Sequence, residues 1–179
     1  MTAGSSHSDT RSGRPLRICI LGLGGGGFHW EAQRIIAAVQ RPLELILIYA
    51  GPGGGLNYWK TNDPIVSRYV VRSPSLMGDT AARKALGLVA NFFHALRILH
   101  TERPDITLAV GTAQAIPFSL AAFLLHREFW YAESITRMRS PSRTTRLMYR
   151  LRFAARIYYF SKELRTVMPQ GICMEERPQ

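Results

Sequence analysis

Short apolar runs alternate along this chain with longer segments in which apolar residues recur every three or four positions. The runs have the length and the Ile, Leu and Val content of buried parallel strands, and they cover residues 16–21, 43–50, 66–72, 105–110, 128–132 and 157–160. The periodic segments predict α-helices over residues 28–40, from an Asp79 cap to Pro104, from a turn at 111–117 to Leu125, and over 142–155. This alternation predicts an α/β fold, a Rossmann-like, doubly wound and mostly parallel sheet with right-handed crossovers.

The length of the chain fits a single domain with a sizeable core, because 179 residues lie within the usual size of one domain. Residues 1–15, which are rich in Ser, Thr, Gly and Arg, are expected to form a flexible basic leader to a domain over residues 16–179, in which Ser161 caps a last helical turn. The most apolar stretch, residues 113–125, contains Gln114 and Ser119 and is shorter than the ~18–20 residues of a membrane-spanning helix. Any membrane contact is therefore expected to be peripheral.

The charge of the chain is strongly positive. Twenty-three Lys and Arg residues against twelve Asp and Glu residues give a formal net charge of +11. Such a surface attracts anions, among them nucleic-acid phosphates, lipid headgroups and diphosphate substrates. Cys19 and Cys173 show no metal-ligand spacing, so we expect no metal site, and Cys19 is predicted to pack as a small hydrophobic residue in its strand.

A glycine-rich loop follows the first predicted strand. Gly22, Gly24 and Gly27 match the G-x-G-x-x-G pattern of dinucleotide sites, but the second strand ends without the acidic residue that such sites use, so an NAD(P)-binding protein is an alternative. The favoured interpretation is a loop, Gly24, Gly25, Gly26 and Gly27, that lets a phosphate or sugar approach the backbone and the following helix. His29, in the first turn of that helix, is either a general base toward a sugar hydroxyl or only a helix-start residue.

Two further turns are predicted to lie at the same carboxyl edge of the sheet, where open α/β sheets bind ligands. Gly111 and Thr112 place small residues at the first, and they serve either as a plain helix start or as part of a binding site. The second contains Glu133, Ser134 and Arg137. A carboxylate can accept from a sugar hydroxyl and a guanidinium can bind a phosphate bidentately, so this turn suits a phosphorylated or diphosphate-linked sugar.

The densest basic segment follows directly and alternates with large apolar residues. Its arginines are Arg137, Arg139, Arg143, Arg146, Arg150, Arg152 and Arg156. Arg143, Arg146 and Arg150 share one helical face, and with Phe153 they suit an anionic bilayer, where guanidinium groups meet headgroups and apolar side chains lie below. A solvated face and a nucleic-acid-binding module are the alternatives. No recognised nucleic-acid-binding motif is present, so nucleic acid is not the expected partner.

Several of these segments together resemble a known family. They are Ala121-Ala122-Phe123-Leu124-Leu125, Glu133-Ser134-Ile135-Thr136-Arg137-Met138-Arg139-Ser140, Arg146-Leu147-Met148-Tyr149 and Pro169-Gln170-Gly171. They resemble the acceptor-binding, membrane-docking subunit of the two-part GlcNAc transferase of lipid-linked oligosaccharide synthesis, and the related bacterial exopolysaccharide glucuronosyltransferase subunits. More distantly, the chain is similar to the N-terminal half of the single-chain transferase that completes the peptidoglycan lipid precursor. The most specific element is Glu-Ser-x-x-Arg.

The resemblance implies one half of a GT-B glycosyltransferase fold without a cofactor. It implies a peripheral subunit at the cytoplasmic face of the membrane that binds a polyprenyl-diphosphate-linked saccharide. A separate donor-binding partner would bind the UDP-sugar, and the inverting transfer would need both chains. In this interpretation Gly24 to Gly27 and Arg137 contact the acceptor diphosphate, Glu133 contacts its sugar and His29 is the base.

The chain departs from the family pattern at two loops. The family's first loop reads Gly-Gly-His-x-x-Glu, and here Phe28 takes the histidine position when Glu31 is aligned with the glutamate. The family's second loop carries Gly-x-Gly-Thr, of which only Gly111 is kept. The first departure concerns the loop that carries the proposed base, His29, and the second concerns a loop expected to affect acceptor specificity.

Overall fold

A parallel β-sheet forms the centre of the computed structural model, which describes residues 13–23, 27–51, 59, 61–72 and 80–175. Seven strands pair in the order β3-β2-β1-β4-β5-β6-β7, and every pair is parallel. The strands are β1 (Leu16–Leu21), β2 (Leu43–Ala50), β3 (Ile65–Val71), β4 (Ile106–Val110), β5 (Glu128–Ala132), β6 (Arg156–Tyr159) and β7 (Ile172–Cys173). The predicted Rossmann-like sheet is confirmed, and the two-residue β7 was not predicted.

Helices connect the strands as the periodic segments predicted, with shorter ends. They are α1 (Phe28–Ala37), α2 (Ala81–Glu102), α3 (Ala115–Leu124) and α4 (Arg143–Leu151), followed by a 3-10 turn over Lys162–Thr166. The α2 cap is Thr80, whose hydroxyl accepts from the Arg83 amide, while Asp79 lies outside the described residues. Ser161 is the N-cap residue of the 3-10 turn, as predicted, but its side chain makes no capping hydrogen bond, and its hydroxyl instead lies within hydrogen-bond distance of the Met138 carbonyl and the Glu163 carboxylate.

Two hydrophobic cores lie on opposite faces of the sheet. One joins the sheet to α2, α3 and α4 and includes Cys19, Ile48 and Phe118, whereas the other lies under α1 and includes Ile20 and Leu47. Successive residues of β1 and β2 point to opposite faces, so both faces of the central strands are covered, as their continuous apolar sequences require. Cys19 packs as predicted, and its burial raises the pKa of its thiol.

The strand order places a topological switch between β1 and β4. The chain winds from β1 outward through β2 to β3, and then crosses back to β4 and continues on the other side. At such a point the loops that leave two neighbouring strands diverge and open a crevice at the carboxyl edge. The loops after β1, β4 and β5 lie along this edge, as the sequence predicted.

Apolar side chains in the first half of α2 are exposed to solvent. Leu86 and Val89 are exposed, as is Phe93 just past the middle of the helix, at 63 %, while Ala95 and Leu99 farther along are buried against the sheet. Helical periodicity predicted the extent of this helix but not the exposure of its first half. None of the helices among the described residues is both long and apolar enough to cross a membrane.

Candidate functional site

The loops after β1, β4 and β5 meet at Gly111. This glycine has a φ of 55°, and a Cβ placed on it would lie 2.6 Å from Phe28 Cε1 and 3.1 Å from Ser134 Cβ. Gly22 is similar, because its φ is 92° and a Cβ there would lie 2.6 Å from the Val110 carbonyl oxygen. Only glycine combines a left-handed backbone with such close approach. The sequence-predicted turns therefore converge in space, and Gly111 is the point of contact.

Glu133 is buried at the start of the β5–α4 loop, which we define as residues 133–142. Its side chain is 1 % exposed, and both of its carboxylate oxygens accept hydrogen bonds. Oε1 accepts from the Ser134 amide at 3.0 Å, and Oε2 accepts from the Ser142 amide and the Thr145 hydroxyl, each at 2.5 Å. Since Ser142 caps α4, the carboxylate also lies at the positive end of that helix. Glu133 thus holds the loop closed onto α4.

Glu31 is a second buried carboxylate, and the sequence did not indicate its contacts. It projects from the first turn of α1, is 1 % exposed, and reaches the β5–α4 loop. Its Oε1 accepts from the Ile135 amide at 2.9 Å and from the Ser134 hydroxyl at 3.3 Å, whereas its Oε2 has no hydrogen-bond partner among the described residues. Burial raises the pKa of Glu31, and the nearby negative charge of Glu133 acts in the same direction. The only early signal for this residue was its place in the family's Gly-Gly-His-x-x-Glu pattern.

The hydroxyl of Tyr131 lies in the same buried polar region, beneath the loop. Burial raises the pKa of Tyr131 to about 12, so the phenol is neutral at physiological pH. Its hydroxyl sits close to Thr145 and Ser142, which help to fix Glu133. The Tyr131 hydroxyl and the carboxylates of Glu31 and Glu133 are therefore buried, whereas residues 135–140 of the β5–α4 loop are exposed.

His29 and Phe28 face different surroundings at the start of α1. The His29 ring is buried, with its centroid 6.4 Å from that of Trp59 in an edge-on arrangement. Burial lowers the pKa of His29, which favours the neutral imidazole. Phe28 instead lies against Gly111, at the meeting point of the loops. The residue nearest that point therefore has no group able to take a proton, and the assignment of His29 as base stays a prediction.

The other predicted site residues lie around the same point. Thr112 is half-buried and its hydroxyl accepts from the Gln114 amide, so it acts two residues before the α3 N-cap instead of capping α3 itself. Arg137 is exposed at the end of a turn in which its amide donates to the Ser134 carbonyl, and no ion-pair partner lies within 4 Å of it among residues that the structure describes. Gly27 precedes α1, whereas Gly24, Gly25 and Gly26 lie outside the described residues.

One face of α4 presents arginines and leucines to solvent. The exposed residues are Arg143, Arg146, Leu147, Arg150 and Leu151. The opposite face buries Thr145 and Met148. Phe153 is half-buried, and its ring centroid lies 6.0 Å from that of the exposed Phe123 at the end of α3. The five exposed residues of α4, together with Phe153, Phe123 and Leu124, form what we call the α3–α4 surface. The structure confirms that the three arginines share one face of α4.

The arrangement offers little to a dinucleotide or a metal. Strand β2 ends at Tyr49, Ala50 and Gly51, without an acidic residue for a ribose. No group of three or more metal-ligating side chains occurs within the described parts of the chain. What the edge does provide is close packing of its loops at Gly22 and Gly111, and an exposed guanidinium at Arg137.

Comparisons with solved structures identify the architecture. MurG from Acinetobacter baumannii superposes with a TM-score of 0.62 at 19 % identity, covering 83 % of this chain and 43 % of that one. The chain has the fold of one GT-B half. The UDP-GlcNAc 2-epimerase of Methanocaldococcus jannaschii gives a TM-score of 0.59 at 15 % identity over 88 % of this chain and 42 % of its own. The S. aureus MnaA–UDP structure gives 0.58 at 14 % identity, over 88 % and 40 %.

This chain therefore spans less than half the length of each of these solved proteins. At identities under 20 % the likeness establishes the fold and not the activity. No family model and no curated protein matches the sequence.

Proposed function

We propose that this chain is the acceptor-binding and membrane-docking component of a two-component inverting glycosyltransferase. It would bind a polyprenyl-diphosphate-linked saccharide, to which a donor-binding partner adds a sugar from a UDP-sugar. The observation that carries the proposal is the meeting of three loops at the carboxyl edge of a GT-B half, with Arg137 exposed beside them. In a GT-B enzyme the second half faces such an edge, and the neighbours whose names include UDP or UDP-GlcNAc support a UDP-sugar as donor.

The acceptor's diphosphate is the group that this edge suits best. Arg137 lies at the end of the Glu-Ser-x-x-Arg turn without a carboxylate to neutralise it among the described residues, so its guanidinium is available for a bidentate phosphate contact. Gly27 and the start of α1 lie on the other side of Gly111, where amides of a helix N-terminus favour negative charge. The acceptor would therefore bind on the surface formed by the start of α1 and the β5–α4 loop, where Gly27 and Arg137 are both exposed.

The two carboxylates have different tasks in this proposal. Glu133 uses both oxygens to hold the β5–α4 loop, so a contact with the acceptor's sugar would require one of those hydrogen bonds to exchange. The base that takes a proton from the acceptor's hydroxyl would be His29 after a change in its packing, or a group on the partner. The partner would also stabilise the leaving diphosphate of the donor.

The α3–α4 surface supports docking on the cytoplasmic side of an anionic membrane. Arg143, Arg146 and Arg150 alternate with Leu147 and Leu151 on one exposed helix face. Arginines that reach headgroups while leucines enter the acyl boundary are typical of interfacial helices. This arrangement would bring the carboxyl edge close to a lipid-linked acceptor without a spanning segment.

Reconstitution tests the proposal. The chain is mixed with a candidate donor-binding GT-B half, a UDP-sugar and a short-chain prenyl-diphosphate-linked GlcNAc, and sugar transfer is followed by mass spectrometry. The proposal predicts product from the mixture and none from either protein alone. Transfer by this chain unaided, or saturable NAD(P) binding in its place, would contradict it.

A further inference from the structure

Glu31 joins helix α1 to a loop that is far from it in sequence. It belongs to α1, which follows β1, whereas its hydrogen-bond donors Ser134 and Ile135 belong to the loop that follows β5. We propose that Glu31 is a positioning residue, whose carboxylate fixes the β5–α4 loop from α1 and thereby sets the place of Arg137 at the acceptor's diphosphate. The second part of this inference rests on the proposed function, and the first does not.

The hydrogen bonds of the turn single out Glu31. Four consecutive amides in the loop have acceptors: Ser134 bonds to Glu133, Ile135 to Glu31, Thr136 to the Ser134 hydroxyl and Arg137 to the Ser134 carbonyl. Three of these acceptors belong to the β5–α4 loop itself, and of the four only Glu31 comes from another element. Loss of the Glu31 carboxylate would therefore free the turn from α1 while its internal bonds remain.

The chemistry of the contact favours a functional role over a purely stabilising one. A carboxylate that is 1 % exposed pays a desolvation cost, and Oε2 recovers none of it from a hydrogen bond among the described residues. Glu133 lies nearby and adds like-charge repulsion. A carboxylate that is kept here at this cost, with its hydrogen-bonded oxygen on Ser134 and Ile135, is better explained by the position that it gives the β5–α4 loop than by stability.

The neighbouring contacts explain how this tether affects the site. Ser134, which donates to Glu31, is also the residue whose Cβ lies 3.1 Å from the position of a Cβ on Gly111, and Phe28 meets Gly111 from the opposite side. The distance between α1 and the β5–α4 loop is therefore set at two places, by packing at Gly111 and by hydrogen bonds at Glu31. Arg137 lies three residues beyond Ser134 in the same turn, so its position follows that distance.

Amide hydrogen exchange and ligand binding test the inference in the full chain. The variants are Glu31→Ala, Glu31→Asp, which keeps the charge but is one methylene shorter, and Glu31→Gln, which keeps an acceptor at the same reach. Glu128→Ala is the matched control, because Glu128 accepts from the Trp130 indole at the opposite edge of the sheet. The ligand is citronellyl-diphosphate-GlcNAc, and its dissociation constant is measured by calorimetry.

We expect Glu31→Ala and Glu31→Asp to speed exchange in peptides covering residues 133–142 by about tenfold and to weaken binding of the ligand by about tenfold, the usual effect of a lost charge-assisted hydrogen bond. Glu31→Gln should restore both to within about threefold of wild type, since its amide oxygen can still accept from Ile135. Glu128→Ala should leave both unchanged.

Unchanged exchange in Glu31→Asp would overturn the tether, even if Glu31→Ala fails to fold. Faster exchange with unchanged affinity would overturn the link to Arg137. If the wild-type chain does not bind the ligand, the proposed function fails and so does the positioning of an acceptor, while the exchange data still decide whether Glu31 holds the loop.

Discussion

The carboxyl edge of the sheet and the α3–α4 surface differ in what fixes their residues. At the edge, Gly111 admits no side chain, and the buried carboxylates of Glu31 and Glu133 both accept hydrogen bonds from the β5–α4 loop. On the α3–α4 surface, arginines and leucines project into solvent. The comparison teaches that substitutions of the buried groups at the edge should change the shape and stability of the protein, whereas those of the exposed arginines on the α3–α4 surface should change only what it binds.

The largest effect is expected at Gly111. Gly111→Val combines a branched side chain at φ 55° with a clash against Phe28, and it should lower the free energy of unfolding by about 4 kcal/mol. Gly51→Val is the control, because Gly51 has a φ of 81° and no atom of the described residues lies within 4 Å of its Cβ position, so backbone strain of about 2 kcal/mol is the expected cost. Denaturant unfolding measures both. Equal losses would show that the loops do not meet at Gly111.

The next largest effect is expected at Glu133. Glu133→Ala leaves the Ser134 and Ser142 amides and the Thr145 hydroxyl without their acceptor, and it should cost about 3 kcal/mol in unfolding free energy. Glu163→Ala, at an exposed glutamate, should cost under about 0.5 kcal/mol. If Glu133→Ala proved as stable as this control yet failed to bind the acceptor, the carboxylate would belong to the ligand site and not to the loop.

The surface is tested by charge reversal. Arg143→Glu combined with Arg150→Glu should weaken binding to vesicles that contain phosphatidylserine by at least about tenfold, since each cation near an anionic surface contributes ~1 kcal/mol, and leave unfolding nearly unchanged. Arg83→Glu with Arg97→Glu makes the same change of net charge on α2, where both arginines are exposed. A vesicle cosedimentation assay compares them. Greater loss from the α2 pair would move the docking face to α2, beside Leu86, Val89 and Phe93.

The smallest effect concerns the charge of Glu31. Because its pKa is raised in the folded protein, the folded state holds this proton more tightly than the unfolded one, and stability falls as pH rises through that pKa. Glutamine does not titrate, so Glu31→Gln should not lose this stability as the pH rises. The variant should therefore match wild type in acid and exceed it slightly in Tm at neutral pH, as thermal unfolding across pH would record. A variant less stable than wild type at neutral pH would show that the charge itself favours folding.

The sequence predicted the sheet and the position of its loops well, and the side-chain contacts poorly, for physical reasons. Continuous apolar runs such as those of β1 and β2 have few alternatives to a buried parallel strand, and Pro104 and Ser142 mark helix ends by local chemistry. The contact of Glu31 with Ile135 spans 104 residues and leaves no local pattern. The two residues of β7 are too few for any periodicity.

The predictions for individual site residues show the same limit. Arg143, Arg146 and Arg150 share a face because helix geometry fixes it, so spacing was sufficient. Whether Glu133 faces a ligand or its own loop depends on which donors the fold brings within 3 Å, and two of them, Ser142 and Thr145, come from the start of α4. The sequence correctly indicated that the Glu133 carboxylate lies at the carboxyl edge of the sheet, but only the tertiary structure gives its hydrogen-bond donors.

The most direct test of the account is the affinity of the chain for a diphosphate-linked sugar through Arg137. Calorimetric titration with citronellyl-diphosphate-GlcNAc should show saturable binding that Arg137→Glu weakens by at least about tenfold, as loss of a charge-assisted phosphate contact requires. Arg41→Glu, at an exposed arginine just before β2, should leave it unchanged. An absence of saturable binding, or equal losses in the two variants, would contradict the claim that the carboxyl edge binds the acceptor.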